Sequence, residues 1–176
     1  MTVHLRLATV GGHSAPEETR PVDLKGAMRS VFGAVSVVTA GLGAERTGAT
    51  VTTAHSLSVE PETMLVSINL GSSTWTAIER FGHFCVNVLD ANQVDVADRF
   101  AGRGGIKGAD RYLGSRWTSL TTGAGVLTGA LASIDCEVEE VIQRHSHALV
   151  LGRVRAAVAR DGPALTYRNG RYGVGD

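Results

Sequence analysis

The sequence predicts a mainly β domain, an antiparallel barrel that carries a few short helices. Three observations predict it. Short β-branched runs such as Val35 to Ala40 are bounded by glycine or proline, the stretch from Ala132 to Glu139 alternates strictly between apolar and polar residues, and helical spacing recurs only in brief segments. A chain of 176 residues suffices for one core. Residues 1–20, containing Gly11-Gly12 and Pro16, read as a flexible arm ahead of a single domain over 21–176.

Asp23 is expected to cap a helix that places Leu24, Ala27, Met28 and Val31 on one side and ends at Gly33. Val35 to Ala40 is the first strand, Gly41-Leu42-Gly43 a turn, and Gly48 to Val59 one continuous strand that completes a hairpin. Glu60-Pro61 interrupts pairing before strands at Met64 to Leu70 and Phe84 to Leu89. A helix capped by Ser72 or Ser73 lies between them and presents Trp75, Ile78 and Phe81. Another, capped by Asn92, presents Val94, Ala97 and Phe100 and stops at Gly102.

Farther on, Ala132, Ile134, Cys136 and Val138 are expected to face the core, with Ser133, Asp135, Glu137 and Glu139 in water. A partner strand over 148–158 turns Ala148, Val150, Val154, Ala156 and Val158 inward. A turn at Gln143 to Ser146 would set Asp135 and Glu137 opposite Arg153 and Arg155.

With 17 basic and 17 acidic side chains, the chain lacks the field that draws proteins to nucleic acid or anionic membranes. Cys85 and Cys136 sit singly in apolar runs and read as buried free thiols, not as a metal or redox pair. No stretch approaches the roughly 20 apolar residues of a membrane helix, and the N-terminus shows no secretory pattern, so a cytoplasmic location is expected. Dinucleotide-fold, Walker, nucleophile-elbow and zinc-protease motifs are all missing.

Thr50, Thr52, Ser56 and Ser58 put many small hydroxyls along one strand. Ordinary β propensity accounts for them; so would a surface that hydrogen-bonds the edge of a flat heteroaromatic ligand. Ser72-Ser73-Thr74 opens a helix, where free N–H groups suit an anion, although capping alone explains the same residues. Arg99 is either a solvated charge or the counter-ion of that anion. His145 and His147 lack a third ligand at metal-site spacing, so no metal is expected. Tyr167 to Tyr172 is either a hairpin end or a grip on a nucleotide.

Taken in order, Gly48-Ala49-Thr50 with Thr52-Thr53, Ser58-Val59-Glu60-Pro61, Ser73-Thr74-Trp75, Phe84 to Leu89, Arg99-Phe100, Asp135-Cys136, His147 and Tyr167 to Tyr172 resemble the short-chain flavin reductase family. Its members are the reductase components of two-component flavin-dependent monooxygenases. The resemblance implies a homodimeric Greek-key split β-barrel that binds FMN, or FAD, and uses NADH as reductant. It implies that Gly48, Ala49, Thr50, Thr52 and Thr53 line the isoalloxazine edge, with Ser67 and Asn69 near the ring or ribityl chain. Ser73, Thr74 and Arg99 would hold the phosphate with Phe100 beside them, while His147, Tyr167, Arg168, Asn169 and Gly170 would face the nicotinamide nucleotide. This chain departs from the family pattern at Ala54, often a larger apolar residue there, and at Ser146, often acidic. The implied activity is NADH-dependent reduction of free flavin for a partner monooxygenase. A flavin-binding barrel that relays electrons without NADH, and a barrel for an unrelated ligand, are the rival readings.

Overall fold

The computed structural model describes residues 20–175; the expected arm at 1–20, except Arg20, lies outside them. A short helix α1 (Leu24–Met28) is followed by β1 (Gly33–Ala34), β2 (Ser36–Ala40), β3 (Thr47–Val51), β4 (Ala54–Val59) and β5 (Glu62–Asn69). Helix α2 (Ser73–Phe81), strand β6 (His83–Val88) and helix α3 (Val94–Phe100) come next. Strands β7 (Trp117–Ser119), β8 (Gly125–Leu127), β9 (Ala132–Arg144), β10 (His147–Ala159), β11 (Ala164–Arg168) and β12 (Arg171–Gly175) complete the order. No helix among the described residues is long and apolar enough to cross a membrane.

One antiparallel sheet of seven strands has the order β3-β2-β6-β9-β10-β5-β4. Its two edge strands, β3 and β4, are consecutive in sequence and separated only by Thr52 and Thr53. Three Cα steps reach at most about 11 Å, so the sheet must curl until its edges meet. The edges do not pair, and the barrel stays split there. The expected continuous strand from Gly48 to Val59 is therefore two strands on opposite edges, because the chain crosses this seam.

Strand β2 is buried along its whole length because it separates two cores. Val38 and Ala40 join Val66, Ile68, Trp75, Ile78, Phe84 and Val150 in one. Val35 and Val37 join Leu89, Ala97, Phe100, Tyr112 and Leu165 in the other. A strand packed on both faces loses the apolar–polar alternation of a surface strand, and the two hydroxyl residues of this one, Ser36 and Thr39, are buried with the rest. Cys85 and Cys136 are free and buried. Burial pushes both thiols up, Cys136 to about 12.

Several local expectations change. Helix α1 is a single short stretch with no buried residue, and Gly33 opens β1 instead of ending the helix. Gln93, not Asn92, precedes α3, without a side-chain cap, since its Oε1 accepts from the Asp90 N–H at 3.0 Å. Val96 replaces Val94 among the inward residues of α3. Glu137 faces Arg153 as expected, but an irregularity between Val154 and Ala156 puts Asp135 opposite Ala156. Asp135 and Ser133 are buried, whereas Val158 is exposed. The acid is accommodated because the Thr122 N–H and hydroxyl donate to it at 2.7 and 2.5 Å.

Asn87 is the polar centre of the sheet and is fully buried. Its Nδ2 donates to Val37 O and Gly125 O at 3.3 and 3.1 Å, and its Oδ1 accepts from Leu127 N–H and Ser133 Oγ, each at 2.8 Å. One amide thus ties β2, β6, β8 and β9. Leucine fills similar volume but leaves the Leu127 N–H and the Ser133 hydroxyl without a partner. Asn87→Leu should lower unfolding free energy by about 2–4 kcal/mol, read by urea denaturation; a loss below about 1 kcal/mol would show that this network does not hold the strands together.

Candidate functional site

The seam is walled by the C-terminal hairpin. Asn169 and Gly170 form its turn with φ of 51° and 80°, the left-handed pair that a tight hairpin demands. The hairpin brings Tyr167 and Tyr172 edge to face, with ring centroids 5.4 Å apart. Together with Val35, Thr50, Val51, Thr52, Ala101 and Arg103 they line a cleft of about 230 Å³. Asp98 organises one wall: it accepts from the Tyr172 hydroxyl at 3.0 Å and pairs with Arg103 at 3.0 Å. Loss of water around Tyr172 and this hydrogen bond push its phenol up to about 12, so it remains a neutral aromatic wall near neutral pH. Thr50 donates its hydroxyl to Ala97 O at 2.6 Å, which fixes α3 against β3.

A second part of the surface forms where α2 begins. Ser72 is its N-cap, accepting from Trp75 N–H at 3.1 Å, and the earlier N–H groups of the helix have no intrahelical acceptor. Ser73 Oγ lies 2.9 Å from Thr47 Oγ1. Ser73, Thr47, Thr76, Arg46, Arg80 and Gly108 border a cleft of about 280 Å³. Thr74 is 1% exposed, and its Oγ1, like Arg46 Nε, has no hydrogen-bond partner among the described residues. Arg46 is stacked 4.4 Å from the Tyr112 ring centroid.

On the outward side of the sheet, His147 stands opposite Asn69, and Leu149 opposite Ser67. Ser146 Oγ and His147 Nδ1 are 2.9 Å apart. The Ser146 carbonyl accepts from Leu70 N–H at 2.9 Å, which ties the histidine turn to the loop before α2. The Thr53 hydroxyl donates to Ser67 O at 3.3 Å. Thr53, Ser67, Asn69 and His147 therefore fall in one region, next to the start of α2.

Not every residue singled out in the sequence joins these surfaces. Phe100 is 2% exposed and packs on Tyr112 and Trp117. Gly48 is glycine because a Cβ there would lie 2.6 Å from Val38 O and 2.8 Å from the Phe100 ring; both residues serve the core. Arg99 donates to Asp95 and Ser115 at 3.1 and 2.7 Å and borders a separate cleft with Gly104 to Lys107. Arg46 and Arg80 are the cations bordering the Ser73 cleft, and since Arg80 pairs with Glu45, Arg46 is the one without a carboxylate partner among the described residues; the sequence did not single it out. Its position two residues before Gly48 was the available signal.

An antiparallel barrel split at a threonine-bearing seam, with an aromatic slot beside it and an unsatisfied hydroxyl and guanidinium near a helix start, belongs to the class of barrels that bind a flat ring with an anionic tail. The family model described as "Flavin reductase like domain" matches residues 28–176, and the chain belongs to that family. It is 35% identical over 162 residues to FMN reductase (NADH) RutF 2 of Methylorubrum extorquens, covering 92% of this chain and 93% of that protein. It is 38% identical over 120 residues to the flavin-dependent monooxygenase reductase subunit HsaB of Rhodococcus jostii, covering 67% and 60%. Among solved structures, it superposes on BorF, the flavin reductase component of a bacterial two-component tryptophan halogenase, with a TM-score of 0.79 at 28% identity, covering 86% and 96%. The styrene monooxygenase flavin reductase of Pseudomonas putida S12 gives a TM-score of 0.77 at 26% identity, covering 88% and 98%.

The Thr74 hydroxyl is the buried polar atom at the start of α2 that the fold leaves without a partner among the described residues. Thr74→Val keeps the buried shape and removes an oxygen that has no partner in the fold, so stability should change by less than about 1 kcal/mol. FMN binding should weaken about tenfold while riboflavin, which has no phosphate, binds unchanged. Fluorescence titration of both flavins gives the comparison, and equal affinities of wild type and variant for FMN would remove Thr74 from the phosphate site.

Proposed function

We propose that the chain reduces free flavin, FMN or FAD, with NADH in the cytoplasm and supplies the reduced flavin to a flavin-dependent monooxygenase. The carrying observation is the slot between Thr50 and Thr52 on one side and Tyr167 and Tyr172 on the other, in a chain related over nearly its full length to an FMN reductase (NADH). The flavin supplies N5 as hydride acceptor, and the nicotinamide supplies the hydride from C4. The protein's part is to hold two flat rings in register and exclude water. Thr50, Thr52 and Thr53 meet the ring edge, Ser67 and Asn69 the chain beyond it, and Ser73, Thr74 and Arg46 the phosphate. The Thr50 and Thr53 hydroxyls already donate to Ala97 O and Ser67 O, so the Thr52 hydroxyl and backbone N–H groups at the seam are the donors that stabilise negative charge developing on the reduced ring.

His147 and the segment Tyr167 to Gly170 position the nicotinamide nucleotide. Hydride transfer places no proton on the protein, so His147 need not act as acid or base. The group beside its Nδ1 is a serine hydroxyl. Exposed Leu57 and Val59 on β4, with Val31 and Phe32 after α1, leave apolar surface that a homodimer would cover.

Oxidation of NADH that depends on added FMN, followed at 340 nm, is the defining result. A bound yellow chromophore without NADH oxidation would favour the electron-relay reading instead. His147→Asn should raise KM for NADH with kcat kept within about threefold across pH 6 to 8. A collapse of kcat at unchanged KM would assign chemistry to the histidine. Sedimentation at micromolar concentration should give a dimer, and a fully active monomer would refute that assembly.

A further inference from the structure

Cationic side chains gather in one concave place although the chain as a whole has no net charge. Arg20, Lys25, Arg29 and Arg168 line a cleft of about 630 Å³, together with Val22, Asp23, Gly26, Ser30 and Asn169. None of the four pairs with a carboxylate of the described residues. Asp23 is the one acid in the lining, and its Oδ1 accepts from the Gly26 N–H at 2.7 Å as the cap of α1. The walls are joined: the Asn169 N–H donates to Arg29 O at 3.0 Å, which fixes the hairpin turn against the end of α1.

The cleft adjoins the aromatic slot. Arg168 directly follows Tyr167 on β11, and Tyr167 stands opposite Gly33 on β1, close after Ser30. Successive side chains of a strand point to opposite faces, so Tyr167 turns to the slot and Arg168 to the cationic side, and the two meet around the hairpin tip. A ligand occupying both has a flat ring at one end and clustered negative charge some way along it. The concave shape and a volume within the usual range of small-molecule sites, about 300–1,000 Å³, suit a bound nucleotide better than the face of a protein partner. Arginine also matches phosphate oxygens in pairs.

We propose that this cleft is a diphosphate subsite that takes the ADP half of NADH, whose nicotinamide lies at the slot; it rests on the flavin reductase reading above. On that reading the flavin phosphate lies at the start of α2, so the flavin does not occupy the cleft. The cleft therefore contributes to affinity for one dinucleotide and leaves the reacting rings untouched.

The double variant Lys25→Gln, Arg29→Gln tests this, since α1 contains no buried residue and its exposed face tolerates substitution. Steady-state kinetics are compared for FMN with NADH, for FAD with reduced nicotinamide riboside, and for FMN with reduced nicotinamide riboside, the last pair containing no ADP. A rise of about tenfold in KM, the loss expected for two exposed cation–phosphate contacts, should appear for NADH in the first pair. The second and third pairs should not change. A rise confined to the first identifies the nicotinamide dinucleotide as the occupant, and a rise confined to the second, for FAD, overturns that assignment. Unchanged KM in all three, or the same loss in all three, overturns the subsite, the former pointing to an acidic protein partner. Wild type inactive with every pair would instead refute the flavin reductase reading itself.

Discussion

Val51 ends β3 at one edge of the large sheet, Ala54 begins β4 at the other, and Thr52 and Thr53 alone connect them. So short a crossing obliges the sheet to close on itself, while the lack of pairing between those edges leaves a line of backbone groups without strand neighbours. Such edges invite unwanted association unless something covers them. Here the first half of the β3 edge is covered from within, because Tyr112 donates to Thr47 O and Arg111 to Gly48 O. The second half, Thr50 to Thr53, is left to the hairpin tyrosines and to whatever binds between them. The ligand surface is thus a by-product of how the barrel closes.

Rigidity comes from elsewhere in the sheet. Strands β2 and β6 have apolar neighbours on both faces, and Asn87 joins them to β8 and β9 through donors and acceptors that are all satisfied. Stability and recognition are accordingly carried by different residues. Substitutions at the seam can alter which ring is held without loosening the core, whereas the core has little tolerance for a lost partner.

Where physics acted over a few neighbouring residues, the sequence was readable. The β2–β3 hairpin, the Ser72 cap, the alternation of Ile134 and Cys136, and the Asn169-Gly170 turn each follow from local spacing or backbone preference. Contacts distant in sequence were not readable. Nothing near Asp135 announces that the Thr122 turn will bring it two donors, and nothing near Gly48 announces the Phe100 ring. The strands β7 and β8, at three residues each, are too short to show a period. At the site, the family pattern named the seam threonines, Tyr167 and His147; Thr50, Thr52 and Tyr167 line the slot, and Thr53 and His147 lie in the region beside the start of α2. It assigned Arg99 to the phosphate; that side chain donates to Asp95 and Ser115 but keeps a buried Nε without a partner among the described residues, as Arg46 does beside the Ser73 cleft. Which of two arginines reaches a cleft depends on tertiary packing, and sequence spacing carries no record of it.

The placement of the two cysteines bears on chemical survival. An enzyme that releases reduced flavin into aerated solution works next to a source of peroxide, since dioxygen reoxidises the free dihydroflavin. Peroxide attacks thiolates far faster than thiols, and access matters as much as charge. Cys85 and Cys136 are both shielded from solvent and held in the protonated form by their apolar surroundings. Sulfenic acid formation is suppressed at both positions, and the catalyst is protected from the oxidant that its own product generates.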